Sequence, residues 1–299
     1  MKNVLVIGDA MIDRYHYVST ERSAQEADIP VCDLLESEDR LGGATNVAAN
    51  IKSLDADILV TFTGIADGCL RSLLLKDGIE PVCAYGEPII KTRIVNCGTI
   101  IARVDNKKRF STQRSNLLEE LCDKVDFNRF DVIVISDYDK GTLSDSLIRK
   151  LVSSKAITIV DSKRYDLSPY KGTNFLNINE IEYSAQASSK EYLCVESLFD
   201  NVIVTRGKKP TLLLQHEPTG NSSSYITHRE EFPIDAVSEV DVTGCGDTHT
   251  AAFVAGLLRD MLDIRNAVRY ANQCASIAVT KQGTTKVTKW DFLKNLEDS

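Results

Sequence analysis

The chain has 299 residues, of which 43% are apolar and 26% charged, and its net charge is −8 at pH 7. This composition is typical of a globular protein that can bury a sizeable core. A general binder of nucleic acid or of anionic membranes needs a basic face, which the negative charge argues against. We therefore expect no nucleic-acid and no membrane partner, and an anionic substrate only in a locally positive pocket.

The eight cysteines are scattered and include no C-x-x-C pair. In a chain of this length they predict reduced thiols rather than a disulfide or zinc framework. The apolar run after Lys2 reaches Asp9 too soon for a signal peptide, and no stretch approaches the roughly 18 apolar residues of a membrane span. We therefore expect a cytoplasmic protein.

Short β-branched runs alternate with helical patterns along the chain. The runs predict buried strands at residues 4–7, 58–62, 132–135, 157–160 and 202–205. The helical patterns lie at residues 44–54, 116–124, 144–152, 247–261 and 264–281. This alternation predicts an α/β fold with a doubly wound, mostly parallel sheet flanked by helices. Ligands bind such a sheet beyond the carboxyl ends of its strands.

Two segments depart from the alternation. Residues 15–41 are polar and interrupted, whereas residues 89–109 alternate apolar and polar side chains around the turn Asn96-Cys97-Gly98. Together they predict a small antiparallel β-lid over one edge of the sheet. Since no linker or repeat interrupts the chain, we expect residues 1–299 to form a single domain that includes the lid.

The sharpest local motif is the turn Asp241-Val242-Thr243-Gly244-Cys245-Gly246-Asp247, which precedes an apolar helix. Its glycines allow a tight turn whose N–H groups, with the positive end of the helix dipole, can bind an anion. Asp247 would repel that anion, so its presence favours a substrate hydroxyl between them, from which Asp247 takes the proton. The alternative is a capping loop with an aspartate in the first helical turn.

A second cluster lies near the amino terminus. Asp9 and Asp13 follow the first predicted strand, where paired aspartates can bind sugar hydroxyls. Gly42 and Gly43 open a helix where the backbone can approach a ligand closely, and the Asn46 side chain can both donate and accept. Taken alone, the two glycines favour an ordinary helix start.

The stretches Gly42-Gly43-Ala44-Thr45-Asn46 and Asp241–Asp247 resemble the two motifs of the ribokinase-like (PfkB) carbohydrate kinases, in the family's order. Within that family the chain most resembles the kinases of heptose 7-phosphate. The resemblance covers nearly the whole chain and includes Gly8-Asp9-x-Met11-x-Asp13-Arg14-Tyr15, Lys91-Thr92-Arg93, Ser136-Asp137-Tyr138-x-Lys140-Gly141 and Val160-Asp161-x-Lys163.

The resemblance implies that Asp247 is the catalytic base and that the N–H groups of Gly244, Cys245 and Gly246 form an anion hole. It also implies residues that bind the sugar and its own phosphate. These are Asp9, Asp13, Gly42, Gly43, Asn46, Arg93, Arg103 and Lys140, although any single cation among them could be ordinary surface charge.

For the nucleotide, the resemblance implies Lys163 near the phosphates and an N-x-x-E motif, Asn179 and Glu182, that helps to hold Mg²⁺ largely through water. The same two residues fit a capping box. Further implied nucleotide contacts are Thr205, Gly207, Asn272 and Gly283, and Asn272 alternatively serves packing alone.

Cys245 and His249 lie in and just after the glycine turn. Cys245 stands where the family usually has alanine, and a thiol at a helix N-terminus can have a lowered pKa, so we expect alkylation to inactivate the protein and ATP to protect it. For His249 we expect a surface position rather than a role in proton transfer.

The resemblance thus implies an ATP- and Mg²⁺-dependent kinase that phosphorylates the anomeric hydroxyl of D-glycero-β-D-manno-heptose 7-phosphate to the 1,7-bisphosphate, a precursor of ADP-heptose and lipopolysaccharide. Two alternatives are a PfkB kinase for another sugar or a nucleoside, and a sugar-binding regulator that has lost catalysis. The intact Asp247 argues against the regulator. We also expect a separate enzyme for the nucleotidyl transfer and, by family analogy, a homodimer formed through the lid.

Overall fold

The computed structural model describes residues 2–27, 29–106, 109–187, 195–218, 225–235, 237–259 and 263–297. The strands are β1 Asn3–Gly8, β2 Ala10–Ser23, β3 Pro30–Gly43, β4 Leu59–Thr63, β5 Ile65–Ala66, β6 Glu80–Pro81, β7 Ala84–Tyr85, β8 Ile89–Asn96, β9 Thr99–Asp105, β10 Val132–Asp137, β11 Ile157–Ser162, β12 Phe175–Asn179, β13 Asn201–Arg206, β14 Lys209–Pro218 and β15 Tyr225–Phe232. The α-helices are α1 Ala44–Leu54, α2 Gly68–Lys76, α3 Thr112–Cys122, α4 Asp145–Val152, α5 Glu180–Ala187, α6 Cys245–Arg259, α7 Ile264–Ala278 and α8 Lys289–Glu297.

The main sheet has the strand order β15-β14-β13-β12-β11-β10-β1-β4-β6. All neighbours from β13 to β6 run parallel, and β14 and β15 add an antiparallel edge. From β1 the chain proceeds to β4 on one side and later to β10 on the other, so the strand order reverses between β1 and β10. Connections that leave in opposite directions open a crevice at this point, beyond the carboxyl ends of the strands.

The central strands are buried on both faces. In β1, Val4 and Val6 face a core formed with α1, α2, α6 and α7, whereas Leu5 and Ile7 face a second core formed with α3 and α4. Because successive strand residues point to opposite faces, a continuous apolar run satisfies both cores. This explains why the unbroken apolar runs of the sequence form the strands at the centre of the sheet.

A separate four-stranded sheet, β3-β2-β8-β9, forms the lid. The outer pairs β2–β3 and β8–β9 are antiparallel, as expected, but the central pair β2–β8 is parallel. The reason is that both central strands begin side by side, at Met11 and Ile89, next to the carboxyl edge of the main sheet and run outward from it.

Helix α1 begins where the lid joins the main sheet. Gly43 is its N-cap, with a positive φ of 55°, and a Cβ there would lie 2.7 Å from the Asp9 carbonyl oxygen. A side chain at this position would therefore be strained and would collide with the chain after β1. The interpretation of Gly42-Gly43 as a helix start is thus correct, and the close backbone approach directs Asn46 toward the crevice.

The five predicted strands and five predicted helices all form in the described ranges, with bounds that differ by a few residues. The last two residues of the predicted helix 247–261 lie outside the described residues. The last predicted helix, 264–281, ends at Ala278 because the Val279 carbonyl accepts hydrogen bonds from the N–H groups of Val240 and Asp241 at 2.8 and 3.2 Å instead of continuing the helix. Within the described ranges, no helix is both long and apolar enough to cross a membrane.

Candidate active site

Asp247 lies in the first turn of α6 and is only 5% exposed. Its Oδ2 accepts a hydrogen bond of 2.9 Å from Asn46 Nδ2, and its Oδ1 accepts one from the Tyr138 hydroxyl. Burial raises the pKa of Asp247 to about 6, while the hydrogen bonds from Asn46 and Tyr138 act in the opposite direction. The result is a buried carboxylate that is ionised at neutral pH, as a general base must be.

The turn before Asp247 has the shape that an anion requires. Gly244 has a positive φ of 77°, and a Cβ there would lie 2.9 Å from Asn46 Nδ2, so only glycine fits. Cys245 N–H donates weakly, at 3.3 Å, to the Val242 carbonyl. Gly246 belongs to the first turn of α6, where N–H groups have no carbonyl partner within the helix. The turn therefore presents donors and a helix dipole directly beside the base.

The pKa of the Cys245 thiol differs from the expectation. It is half-buried, and burial together with the nearby carboxylates of Asp247, Glu239 and Asp241 raises its pKa. The pKa shift is thus opposite to the lowering expected at a helix N-terminus, and its main cause is desolvation by burial. Inactivation by alkylation and protection by ATP stay predictions.

Asp9 anchors the loop that follows β10. Its fully buried carboxylate accepts hydrogen bonds from Tyr138 N at 2.7 Å, Lys140 N at 3.2 Å and the Thr142 hydroxyl at 2.5 Å. Burial and the neighbouring Asp137 carboxylate raise the pKa of Asp9 to about 7. These hydrogen bonds give Asp9 a structural role in holding the loop, and the sugar contact that the resemblance implies stays a prediction. The Lys140 side chain is half-buried.

Asp13 and Arg93 form a buried ion pair between β2 and β8, with 2.5 Å between Oδ1 and Nη1. Gly42, at the end of β3, lies against the Asp13 carboxylate. The contact with Asp13 uses Nη1 of Arg93, and the guanidinium has further N–H donors that a sugar phosphate could accept from. Arg103 is exposed and holds Asp105 with two hydrogen bonds of 2.6 and 2.7 Å.

The residues expected to hold Mg²⁺ form a capping box at the start of α5. Glu182 N donates to Asn179 Oδ1 at 2.9 Å, and Asn179 N donates to Glu182 Oε2 at 3.2 Å. The remaining Glu182 oxygen lies 3.0 Å from Lys163 Nζ, which also lies 3.2 Å from Asp161 Oδ1. Burial alone would lower the pKa of Lys163, but these two carboxylates raise it overall.

These oxygen donors suit a hard cation that keeps most of its water ligands. In the part of the chain that the structure describes, no group of three or more His, Cys, Asp or Glu side chains could hold a metal by itself. The side-chain oxygens of Asn179 and Glu182 are of the kind that a divalent cation takes, and they would contact such a cation through its water shell.

The remaining nucleotide candidates lie further along the same edge. Thr205 is the last residue but one of β13, and its hydroxyl donates to the Ile178 carbonyl at 3.4 Å. Gly207 lies in the turn that follows. Asn272 is buried in α7, and its amide donates to the carbonyls of Phe232 and Pro233. These contacts match the packing alternative for Asn272.

His249 is 2% exposed, so the expected surface position is wrong. It lies on the inner face of α6, between Asn177 Nδ2 and Asn272 Oδ1, each 3.3 Å from a ring nitrogen. Burial lowers the pKa of His249 to about 4, so the ring stays neutral at physiological pH.

Gly283 connects the anion-binding turn to the lid. Its N–H donates to Asp241 Oδ2 at 2.9 Å, and the next N–H, of Thr284, donates to the Tyr15 hydroxyl of β2 at 3.1 Å. Arg40 of β3 donates to the Gln282 carbonyl at 3.0 Å. The loop at 282–284 is therefore held by the lid on one side and by the catalytic turn on the other.

Two side chains at the centre of the site were not predicted from the sequence. Tyr138 belongs to a stretch that supported the resemblance, but its hydroxyl contacts the Asp247 carboxylate itself. The Lys91 ammonium lies 5.4 Å from the Tyr138 ring centroid. Burial lowers the pKa of Lys91, and the carboxylates of Asp13 and Asp247 partly oppose this. Two signals in the sequence could have indicated these side chains. Tyr138 directly follows a predicted strand, and Lys91 is a polar residue in the apolar–polar alternation of β8.

A doubly wound sheet with a glycine turn, a helix N-terminus and a buried carboxylate at its carboxyl edge defines a kinase that acts on a hydroxyl group. The sequence model for "pfkB family carbohydrate kinase" matches residues 1–291, and the chain belongs to this family. It is therefore a phosphotransferase that acts on a sugar hydroxyl, and kinases of this family use ATP and a divalent metal.

Among curated proteins, the chain is 32% identical over 313 residues to the bifunctional protein HldE of Shewanella sediminis. This alignment covers 98% of this chain and 63% of the relative. It is 34% identical over 305 residues to the HldE of Actinobacillus succinogenes, covering 95% of this chain and 61% of the relative. The chain thus spans less than two thirds of the length of these relatives.

Among solved structures, the ribokinase of Thermotoga maritima superposes with a TM-score of 0.72 at 18% identity, covering 99% of this chain and 100% of that one. Phosphofructokinase-2 of Escherichia coli gives a TM-score of 0.72 at 16% identity, with coverages of 98% and 97%. At such identities these structures establish the fold alone, and the predicted ribokinase-like fold is confirmed.

We predict that Arg93→Met lowers the free energy of unfolding by about 3–5 kcal/mol, because it leaves the Asp13 carboxylate buried without its partner. Urea unfolding measures this loss, and the double variant Asp13→Asn/Arg93→Met should recover part of it. Arg103→Met is the matched control, since its exposed pair with Asp105 contributes less than about 1 kcal/mol. Equal stability of Arg93→Met and wild type would contradict a structural role for the buried pair.

Proposed function

We propose that the chain is an ATP- and Mg²⁺-dependent kinase that phosphorylates D-glycero-β-D-manno-heptose 7-phosphate at its anomeric hydroxyl, giving the 1,7-bisphosphate. The observation that carries the proposal is the buried Asp247 carboxylate beside the glycine turn. Likeness to HldE proteins over 95–99% of the chain supports the heptose acceptor. Free thiols at the described cysteines fit a reducing cytoplasm.

In the proposed reaction the acceptor hydroxyl lies between Asp247 and the turn at Gly244–Gly246. Asp247 takes the hydroxyl proton as the acceptor oxygen bonds to the γ-phosphorus of ATP, while the bond from that phosphorus to the β,γ-bridging oxygen breaks and ADP leaves. Asn46 keeps the carboxylate oriented through its 2.9 Å hydrogen bond. The N–H groups of the turn donate to the phosphoryl oxygens, on which negative charge is concentrated. The lid excludes water, which would otherwise compete as the acceptor.

In this proposal the protein contacts the metal only through its water shell. Asn179 and Glu182 hold its water shell, and Lys163 lies beside them as a fixed positive charge. When bound, Mg²⁺ neutralises charge on the phosphate oxygens during transfer. Lys163 adds to this by drawing the phosphates toward the end of β11.

A phosphorylated acceptor accounts for the cations at the base of the lid. Lys91 lies over the Tyr138 ring, near the base, and Arg103 faces Arg93 across the β8–β9 pair. These residues bring positive charge to the base of the lid in a protein whose net charge is −8, and Lys140 stays a candidate from the resemblance. Lys91 and Arg93 are the candidates for the sugar phosphate, because both are largely buried at the base of the lid, whereas Arg103 is exposed and binds Asp105 with two hydrogen bonds.

The acceptor is tested with a panel in which ADP release is followed for heptose 7-phosphate, unphosphorylated heptose, fructose 6-phosphate, ribose and inosine. We expect the highest kcat/KM for heptose 7-phosphate, with unphosphorylated heptose far lower because it cannot engage the lid cations. A higher kcat/KM for another acceptor would replace heptose in the proposal, and no ADP release with any acceptor would favour a regulator.

The base is tested with Asp247→Asn, which we expect to lower kcat by about 10²–10⁴-fold without unfolding the protein. Because Asp247 must be ionised and its pKa is about 6, kcat/KM of the wild type should fall as the pH drops below about 6 and be level above it. Cys245→Ala is the control and should retain activity, since only the Cys245 backbone is used. Wild-type turnover by Asp247→Asn would refute the assignment.

The lid supports a further proposal, a homodimer. Its edge strands β3 and β9 have open edges and carry the exposed apolar side chains Leu34, Leu35, Ile100, Ile101 and Val104. We expect sedimentation velocity to show a dimer that Leu35→Asp weakens about tenfold or more, because a charge would be buried at the interface. Leu75→Asp, on exposed α2, should leave it unchanged. A wild-type monomer at all concentrations would contradict the dimer.

A further inference from the structure

Both oxygens of the Asp247 carboxylate accept a side-chain hydrogen bond within the protein. Asn46 donates to Oδ2 and the Tyr138 hydroxyl donates to Oδ1. A carboxylate oxygen has two lone-pair directions, so each oxygen can still accept a bond from a substrate hydroxyl. Tyr138 therefore contacts the base without occupying the whole of it, and the reaction described so far gives this hydroxyl no role.

Tyr138 is held in place from several directions. Its N–H donates to the buried Asp9 carboxylate at 2.7 Å, and the next N–H, of Asp139, donates to Asp137 Oδ1 at 2.8 Å. Its ring lies under the Lys91 ammonium. Burial and the adjacent Asp247 carboxylate raise the pKa of Tyr138 well above its ordinary value, so its hydroxyl remains a donor at every pH at which the enzyme works.

We propose that Tyr138 is a positioning residue for phosphoryl transfer, whose hydroxyl keeps the Asp247 carboxylate ionised and in the orientation that meets the acceptor. The inference rests on the proposed role of Asp247 as the base. Tyr138 does not itself receive the proton. A buried carboxylate without donors takes up a proton and loses its basicity, and a rigid phenol donor prevents this without adding a positive charge beside the incoming phosphates.

The other groups around Asp247 do not replace this donor. Lys91 from β8 and Lys163 after β11 favour its ionised form, and Asp161 disfavours it. Cys245, on α6 itself, has a raised pKa and stays neutral.

Two more carboxylates lie close to Tyr138 but do not contact its hydroxyl. Asp9, with a pKa of about 7, binds the Tyr138 N–H, and Asp13 faces Lys91 across the β2–β8 pair. A change confined to the phenol oxygen therefore isolates the contact with Asp247.

Tyr138→Phe removes that oxygen and keeps the ring. The pH dependence of kcat/KM is measured with the acceptor that the panel identifies as best. We expect the acid limb to move up by about one to two units, from about pH 6 to about pH 7–8, which is the effect of one hydrogen bond to a charged group. Activity is then lowered at neutral pH and below, and it returns at more alkaline pH. A loss of equal size at every pH, or no loss, would overturn the proposal.

Tyr170→Phe is the matched control. The Tyr170 hydroxyl donates to Oδ2 of Asp137, the residue before Tyr138, at 2.6 Å. Its removal therefore deletes a similar buried hydrogen bond that does not involve Asp247. We expect the acid limb of this variant to stay in place. Equal shifts in both variants would assign the effect to the loop as a whole and overturn the proposal.

A second measurement needs no turnover. In protein labelled with ¹³C at aspartate carboxyl groups, the Asp247 resonance is identified by its disappearance in Asp247→Asn. We expect it to titrate at higher pH in Tyr138→Phe than in wild type, and an unmoved titration would contradict the inference. Full activity of Asp247→Asn would instead remove the base itself, so the two failures are distinguishable.

Discussion

The buried carboxylate of Asp9 joins the two central strands of the sheet at the point where the strand order reverses. Its acceptors are satisfied by two backbone N–H groups and a hydroxyl from the loop after β10, so the end of β1 and that loop form one rigid unit. An unpaired carboxylate at this depth would be costly, so the loop cannot move away without leaving that charge unsatisfied. The position of Tyr138, and through it the orientation of Asp247, depends on this bond set.

The site combines charges that would be unfavourable alone. Asp247 is buried beside the turn at Gly244–Gly246, and the positive charges of Lys91 and Lys163 favour its ionised form. Hydrogen bonds from Asn46 and Tyr138 add directional stabilisation. The arrangement partly offsets the effect of burial on the Asp247 carboxylate and so favours the ionised form that its proposed role as the base needs.

Much of the fold follows from patterns that one sequence contains. The short apolar run at residues 4–7 predicts a central strand because both faces of such a strand need apolar side chains. The glycines before Asp247 predict a tight turn because glycine readily adopts a positive φ. Pairings across the fold were not predictable. The partner of Arg93 is Asp13, 80 residues away, and the Tyr138 hydroxyl meets a carboxylate 109 residues away. Spacing carries no information about such contacts, because they depend on how β2, β8 and α6 pack. His249 was misplaced for the same reason, since a polar side chain on a helix gives no sign of buried amide partners.

The loop at 282–284 is bonded to Asp241 before the anion-binding turn, to Tyr15 in β2 and to Arg40 in β3. The lid and the turn are thus joined mechanically through three successive residues rather than through the sheet beneath them. A displacement of the lid must either break these hydrogen bonds or pull the loop with it. The opening of the lid and the shape of the turn at Gly244–Gly246 are consequently coupled through the hydrogen bonds of this loop.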